Sequence, residues 1–310
     1  MEAEEDDERM ASYSIKDLER LSGVKAHTLR IWEQRFNIIH PQRTNTNIRY
    51  YNDADLRKLL NISLLNNHGY KISRIAQMSE GEIANEVREV TDSEHDSNNQ
   101  QAALTICMIE LDEERFDKLL STNTLRHGFE KTMVTMIIPF LEKVGIMWMT
   151  GAINPAQEHF VSNIIRQKLI VAIDGQMNPM SEPEHTFMLF CPEGEYHEIG
   201  LLFMCYLLRT RKRKAIYLGA SVPTDDLKAI YNVHKPARLF AYITTSPSDE
   251  ELQQYIYELS STFPNSEVWL AGQQMLRQQF DLPSNVIVLA TMQGALEHLE
   301  MYRKSSSTHN

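Results

Sequence analysis

The chain has 310 residues, 42% of them hydrophobic and 24% charged, with a formal net charge of −11. That length suffices for two or three domains, and no apolar run reaches the roughly 18 residues of a membrane-spanning helix. Cys107, Cys191 and Cys205 are too few and too far apart for a disulfide framework or a zinc site. The charge is unevenly placed. Residues 1–9 hold six acids and one Arg, residues 10–80 hold eleven Lys or Arg against six acids, and residues 81–310 carry a net −11. A basic module joined to an acidic body is the asymmetry of a DNA-binding head on a sensor. The acidic start, Met1 to Glu8, is the opposite of a signal peptide and predicts a cytoplasmic protein with no membrane partner.

Residues 1–11 read as a disordered acidic tail, and residues 12–85 as the head. Ser14 is placed to cap a helix in which Ile15, Leu18 and Leu21 keep helical spacing. Ser22-Gly23-Val24 breaks it, and Lys25 to Arg35 predicts a second helix with Leu29 and Trp32 inward. Two short helices around a Gly turn make a helix-turn-helix, whose second helix enters the major groove. Lys25, His27, Thr28, Arg30 and Arg35 are its outward candidates for DNA contact. Pro41 to Tyr51 predicts a hairpin wing that offers Arg43, Arg49 and Tyr50 to phosphates or a minor groove. Two more helices are expected at Asp53 to Asn67 and Lys71 to Met78. Tyr13 to Met78 resembles the MerR-family winged DNA-binding domain, notably in Thr28-Leu29-Arg30-Ile31-Trp32-Glu33 and Arg49-Tyr50-Tyr51. The resemblance implies a double-stranded DNA operator as partner.

Residues 86–101 are polar and without apolar periodicity, and predict a flexible linker where MerR proteins usually continue into a dimerising helix. Residues 102–180 predict a four-helix bundle, with periodic segments at 102–109, 112–121, 124–149 and 155–177. Trp148 closes one helix and Glu158-His159 opens the next, behind Asn154-Pro155. Taken alone, Trp148 also fits a core position and Glu158 a helix-dipole partner. The spacing resembles the W-x9-E-H signature of light-sensing MerR regulators of the CarH and LitR type, which bind adenosylcobalamin. The resemblance implies that Trp148, Glu158 and His159 line the pocket of the upper, 5′-deoxyadenosyl ligand. Those regulators carry a His directly after the Trp; here Met149, a softer thioether, stands there.

Residues 183–304 alternate strand and helix. Strands are expected at 185–191, 215–220, 238–245, 267–271 and 286–290, and helices at 198–210, 223–233, 249–262, 273–279 and 292–302. Five such units predict a doubly wound, flavodoxin-like (Rossmann-like) α/β sheet. Ligands of such sheets bind outside the carboxyl ends of the strands. Glu195-Tyr196-His197-Glu198-Ile199-Gly200 follows the first strand there. His197 is a candidate metal ligand, Glu195 its partner, and Gly200 a place where a planar ligand can approach the backbone. By itself the hexapeptide also fits a surface loop with an incidental His. It resembles the E-x-H-x-x-G loop of B12-binding domains, which implies His197 as the lower cobalt ligand. The same resemblance implies cofactor contacts at Ser246, after the third strand, and at Gly272, where Gln273 replaces a second Gly. Arg209 to Lys214 reads as a solvated helix end.

Together these resemblances imply a transcriptional regulator, not an enzyme, of three parts: an all-α winged helix-turn-helix head, a helical cap and a B12-binding domain. They imply repression controlled by cobalamin, most simply adenosylcobalamin with light sensing, through a change of homo-oligomer between dimer or tetramer and smaller forms. Two other readings stay open. One is a degenerate B12 fold that serves oligomerisation or another ligand. The other is a corrinoid-dependent methyltransferase-type protein, which a DNA-binding head argues against.

Overall fold

The computed structural model describes residues 13–43, 47–93, 97–149, 153–177, 186–276 and 279–306. The expected acidic tail at 1–11 lies outside these, as do the wing tip at 44–46 and the side chain of Met149. The chain divides into two compact units, Met1–Ile164 and Ile165–Asn310.

The first unit opens with α1 (Ile15–Ser22) and α2 (Ala26–Phe36). Ser14 and Asp17 form a reciprocal capping box at the start of α1, and Gly23 ends it at φ +73°, a left-handed turn that favours glycine. Strands β1 (Gln42–Arg43) and β2 (Arg49–Tyr50) pair antiparallel as the wing. Tyr51 and Tyr13 exchange both backbone hydrogen bonds at 2.8 and 2.9 Å, and both rings are buried. The paired tyrosines therefore tie the wing to the start of the head. Helix α3 (Asp53–Asn67) buries Leu56, Leu59, Leu60 and Leu64 and packs on α1. A single turn, α4 (Ile72–Ile75), follows.

The stretch expected as a flexible linker is helical where it is described. Helix α5 (Glu80–Ser93) runs into it, and α6 (Ser97–Glu110) begins inside it, with 94–96 outside the described residues. The physical reason is capping and burial. Ser79 and Glu82 cap the start of α5 reciprocally, and Ile83 and Val87 are buried on a helix that packs on α3. Two apolar contacts anchor a helix whose remaining residues need no periodicity.

Helices α7 (Glu113–His127), α8 (Phe129–Thr132), α9 (Ile138–Met149) and α10 (Pro155–Asp174) follow. The periodic segment expected at 124–149 is interrupted at Gly128, at φ +85°, and resumes through a π-helical turn at Met133–Ile137. Phe116 and Phe140 meet in the core with ring centres 5.9 Å apart. Asn154 and Gln157 cap α10 reciprocally, with Pro155 in its first turn.

The second unit holds a five-stranded parallel sheet in the order β4-β3-β5-β6-β7. Its strands are β3 (Thr186–Pro192), β4 (Lys214–Val222), β5 (Arg238–Tyr242), β6 (Glu267–Ala271) and β7 (Val286–Leu289). This is the flavodoxin-like order, whose reversal of direction lies between β3 and β5. Helices α11 (Ile199–Thr210), α12 (Thr224–His234), α13 (Asp249–Thr262) and α14 (Met292–Ser306) connect and flank the strands. One face of the sheet buries Met188, Phe190, Leu239, Ala241 and Leu270 against Leu227, Leu252 and Ile256. The helix expected at 273–279 is a 3-10 turn, Gln273–Leu276. Gly272, at φ +113°, turns the chain too sharply for an α-helix, and Gln274 N–H bonds back to the Ile243 carbonyl.

Among the described residues, no helix is long and apolar enough to cross a membrane. The cationic run after α11 is only partly solvated. Arg209 donates to the Ile173 carbonyl, and Arg211 pairs with Glu300 at 3.0 Å, its side chain 16% exposed. These charges hold α10 and α14 to α11.

Candidate functional site

The helix-turn-helix presents the first cluster. Leu29 and Trp32 are buried, which turns the opposite side of α2 outward. Lys25, His27, Arg30, Arg35, Arg43 and Arg49 are exposed; Thr28 and Tyr50 are half-buried. Several of these cations have partners. Lys25 pairs with Glu19 at 3.3 Å, and the other Glu19 oxygen accepts from the Ala26 N–H, which caps the start of α2. Those contacts hold the Glu19 carboxyl below its usual range. Arg49 lies 3.7 Å from Glu33 on α2, and Arg43 donates to the Asn47 side chain at 2.6 Å. The wing arginines are thus steered by neighbours.

The second cluster flanks the turn between α9 and α10. Trp148 is in the last turn of α9 and its side chain is 53% exposed. An indole in a core position would be buried, so the core reading of Trp148 fails. Glu158 and His159 are in the first turn of α10 and touch one another, with His159 Nδ1 2.7 Å from the Glu158 carboxylate. Glu158 also accepts from Ser162 Oγ at 2.5 Å. The structure joins Glu158 and His159; residues 150–152, between them and Trp148, lie outside those described.

The third cluster stands at the carboxyl ends of β3 and β5. Glu195 is fully buried, and its carboxylate gathers both loops. It accepts from the His197 N–H at 2.9 Å and lies 2.6 Å from His197 Nδ1. It also accepts from the N–H groups of Thr244 (2.8 Å), Thr245 (2.5 Å) and Ser246 (3.2 Å). Burial alone would raise its pKa. Hydrogen bonds from the His197 ring and from the backbone of Thr245, His197 and Thr244 outweigh burial and hold it down at about 2. The anionic carboxylate therefore keeps a proton on His197 Nδ1 and directs Nε2 to any metal. The His197 side chain is 55% exposed. Ser246 turns its hydroxyl to the Glu193 carbonyl at 3.1 Å, so its side chain braces the loop.

Glu198 anchors the same loop from the other side. It accepts from Arg166 Nε at 2.7 Å and from the Tyr217 hydroxyl at 2.6 Å. Burial and that carboxylate push the Tyr217 phenol far up, so it stays a donor. Arg166 and Tyr217 had no signal in the sequence, because separations of 32 and 19 residues from Glu198 carry no spacing rule.

Two of the candidate glycines are closely packed against protein atoms. A Cβ on Gly200 would stand 2.1 Å from Cζ of Tyr242, so the hollow above Gly200 is filled by that ring. A Cβ on Gly272 would stand 2.2 Å from the Ile243 carbonyl oxygen, so Gly272 is needed for packing against the segment after β5. Gln273 is exposed.

The chain matches known proteins in its head and in its helical region. The MerR HTH family regulatory protein description matches residues 13–82, and the B12 binding domain description matches residues 100–172. The HTH-type transcriptional repressor CarH of Myxococcus xanthus is 28% identical over 84% of this chain and 89% of its own length. The repressor CarA of the same organism is 26% identical over 69% of this chain and 70% of its own. Among solved structures, the monomethylamine corrinoid protein of Methanosarcina barkeri is a loose likeness. It is 13% identical with a TM-score of 0.49, covering 64% of this chain and 96% of that one. The fold and the matched domains define a class: a DNA-binding regulator with a separate ligand domain. Within it, the chain joins a domain of the MerR HTH description to one of the B12 binding description.

The residues present fit a corrinoid at one place and not at another. A half-exposed imidazole with Nδ1 fixed by a buried carboxylate suits an axial cobalt ligand. The hollow of Gly200 offers a corrinoid no room as it stands, because the Tyr242 ring fills it.

Proposed function

We propose that the chain is a cytoplasmic transcriptional repressor that binds a double-stranded operator and is switched by cobalamin, adenosylcobalamin in particular. The buried Glu195–His197 pair carries the reading, since few other tasks call for a fully desolvated carboxylate spent on orienting an exposed imidazole. His197 would hold the cobalt through Nε2, Glu195 fixes the imidazole's tautomer and angle, and the Thr244 to Ser246 backbone holds Glu195. Trp148, Glu158 and His159 receive the upper ligand. The exposed indole offers an apolar face, and the Glu158–His159 pair offers hydrogen bonds. When bound, adenosylcobalamin supplies a cobalt–carbon bond that light can break.

Lys25, His27, Thr28, Arg30 and Arg35 enter a major groove, with Arg43, Arg49 and Tyr50 on the flanking backbone. Regulation is a population shift: cofactor state biases how protomers assemble, and an assembly that joins several heads binds an operator far more tightly than one head. The names of the two Myxococcus relatives support repression. Tyr242 over Gly200 favours a second reading, a B12 fold that has lost its ligand and only assembles protomers.

The test mixes purified protein with adenosylcobalamin in the dark, removes free cofactor, and records spectrum and elution volume before and after green light. Wild type is expected to retain the cobalamin spectrum and to elute later after illumination, and His197→Ala to lose most of the cofactor. Equal retention by His197→Ala sinks the lower-ligand assignment, and no retention by wild type selects the second reading.

A further inference from the structure

The strand order reverses between β3 and β5, where doubly wound folds open a crevice for ligand. Here the crevice is closed. Across its mouth, the Glu195 carboxylate joins the loop after β3 to the loop after β5. Beneath, Tyr242 at the end of β5 lays its ring over Gly200 at the start of α11; the missing Cβ would be 2.1, 2.3 and 2.6 Å from three ring carbons. Behind Tyr242, the same face is filled. Phe187 meets Trp269 with ring centres 5.2 Å apart, and Trp269 meets His298 of α14 at 4.7 Å. Trp269 is fully buried. What projects from the closed crevice is His197 and the 72% exposed Tyr196.

A complete cobalamin has two parts to place: the corrin ring and the nucleotide arm hanging from its lower face. An imidazole that takes the lower position displaces the arm's own base, and the arm must then go elsewhere. We propose that Tyr242 makes this site indifferent to the arm. By filling the hollow over Gly200 it leaves no room beneath His197, so the protein holds a corrinoid by its ring and accepts arm-less corrinoids, of the cobinamide class, at least as well as complete ones. The inference rests on the corrinoid reading above. It assigns Tyr242 as the residue that sets which corrinoids are taken.

The test is an absorption titration of the full-length protein with aquacobinamide and with hydroxocobalamin, for wild type, Tyr242→Ala and Tyr242→Phe. Wild type is expected to bind aquacobinamide at least as tightly as hydroxocobalamin. Tyr242→Ala is expected to tighten hydroxocobalamin by about tenfold, near 1.4 kcal/mol, with aquacobinamide nearly unchanged. Tyr242→Phe keeps the ring and should match wild type, which also guards against a folding defect in the smaller variant. A wild type that prefers hydroxocobalamin by tenfold or more overturns the role of Tyr242 while the corrinoid reading stands. So does a Tyr242→Ala protein with an unchanged ratio. Binding of neither compound by any of the three proteins overturns both.

Discussion

Gly200 and Tyr242 lie in different elements, and their packing makes one position intolerant of a single added carbon. Gly200→Ala places a methyl inside the space of the Tyr242 ring, which must shift to admit it. Overpacking of this kind costs about 1–3 kcal/mol. Urea unfolding should show that loss for Gly200→Ala, and should show most of it recovered when Tyr242→Ala is added. An additive double variant would mean that the two residues do not oppose one another. Glycine at this place was visible in the sequence; the ring that stands over it was not. A glycine states only that a Cβ is unwelcome; whether a ligand or a side chain takes the space depends on what a distant strand brings over it. Glu195 shows the opposite case. Its pairing with His197 was legible at two residues' distance, while the Thr244 to Ser246 donors that bury its charge came from a loop about fifty residues away.

At the scale of elements, α1 and α9 are tied by a charge. Lys143 on α9 donates from Nζ to the Leu21 carbonyl at the end of α1, 3.0 Å away. Burial lowers its pKa to about 8. A lysine whose folded pKa is depressed penalises the fold while the ammonium is forced to stay charged inside, and the penalty is relieved as pH rises. The unfolded chain holds more protons only between the folded value near 8 and the ordinary value near 10.5, so stability rises across that window. Relative to Lys143→Met, wild type should gain about 2 kcal/mol between pH 7.5 and 10, read from denaturant unfolding at both values. A difference independent of pH would mean that the ammonium is hydrated. The helices of the head were legible because their caps are local: Ser14 with Asp17, Asn52 with Asp55, Gly23 at the turn. The helix expected as a linker was not, because Ile83 and Val87 become anchors only when α3 lies beside them.

At the scale of the whole molecule, the charge asymmetry assigns the DNA contact. A basic head on a body of opposite sign confines attraction to the head, since phosphate binding releases counterions in proportion to the cations brought up. Arg30 is exposed in the middle of α2. Arg30→Ala should weaken operator binding and lower the salt slope by about one ion if it meets a phosphate. If it reads a base, the loss should amount to about 1–3 kcal/mol and fall on one operator position. Affinity and slope both unchanged, measured between 50 and 200 mM salt, would remove Arg30 from the interface.

The sequence by itself determined the parts that rest on short-range physics. These are helix caps and breaks, the alternation of strand and helix that makes a doubly wound sheet, the basic head, and the two-residue step from Glu195 to His197. The tertiary structure alone decided what fills the crevice between β3 and β5. That outcome depends on strand order, which places Tyr242 over Gly200 and three backbone N–H groups on Glu195. Packing excludes at contact distance, and residues far apart in the chain reach contact only when the fold brings them there.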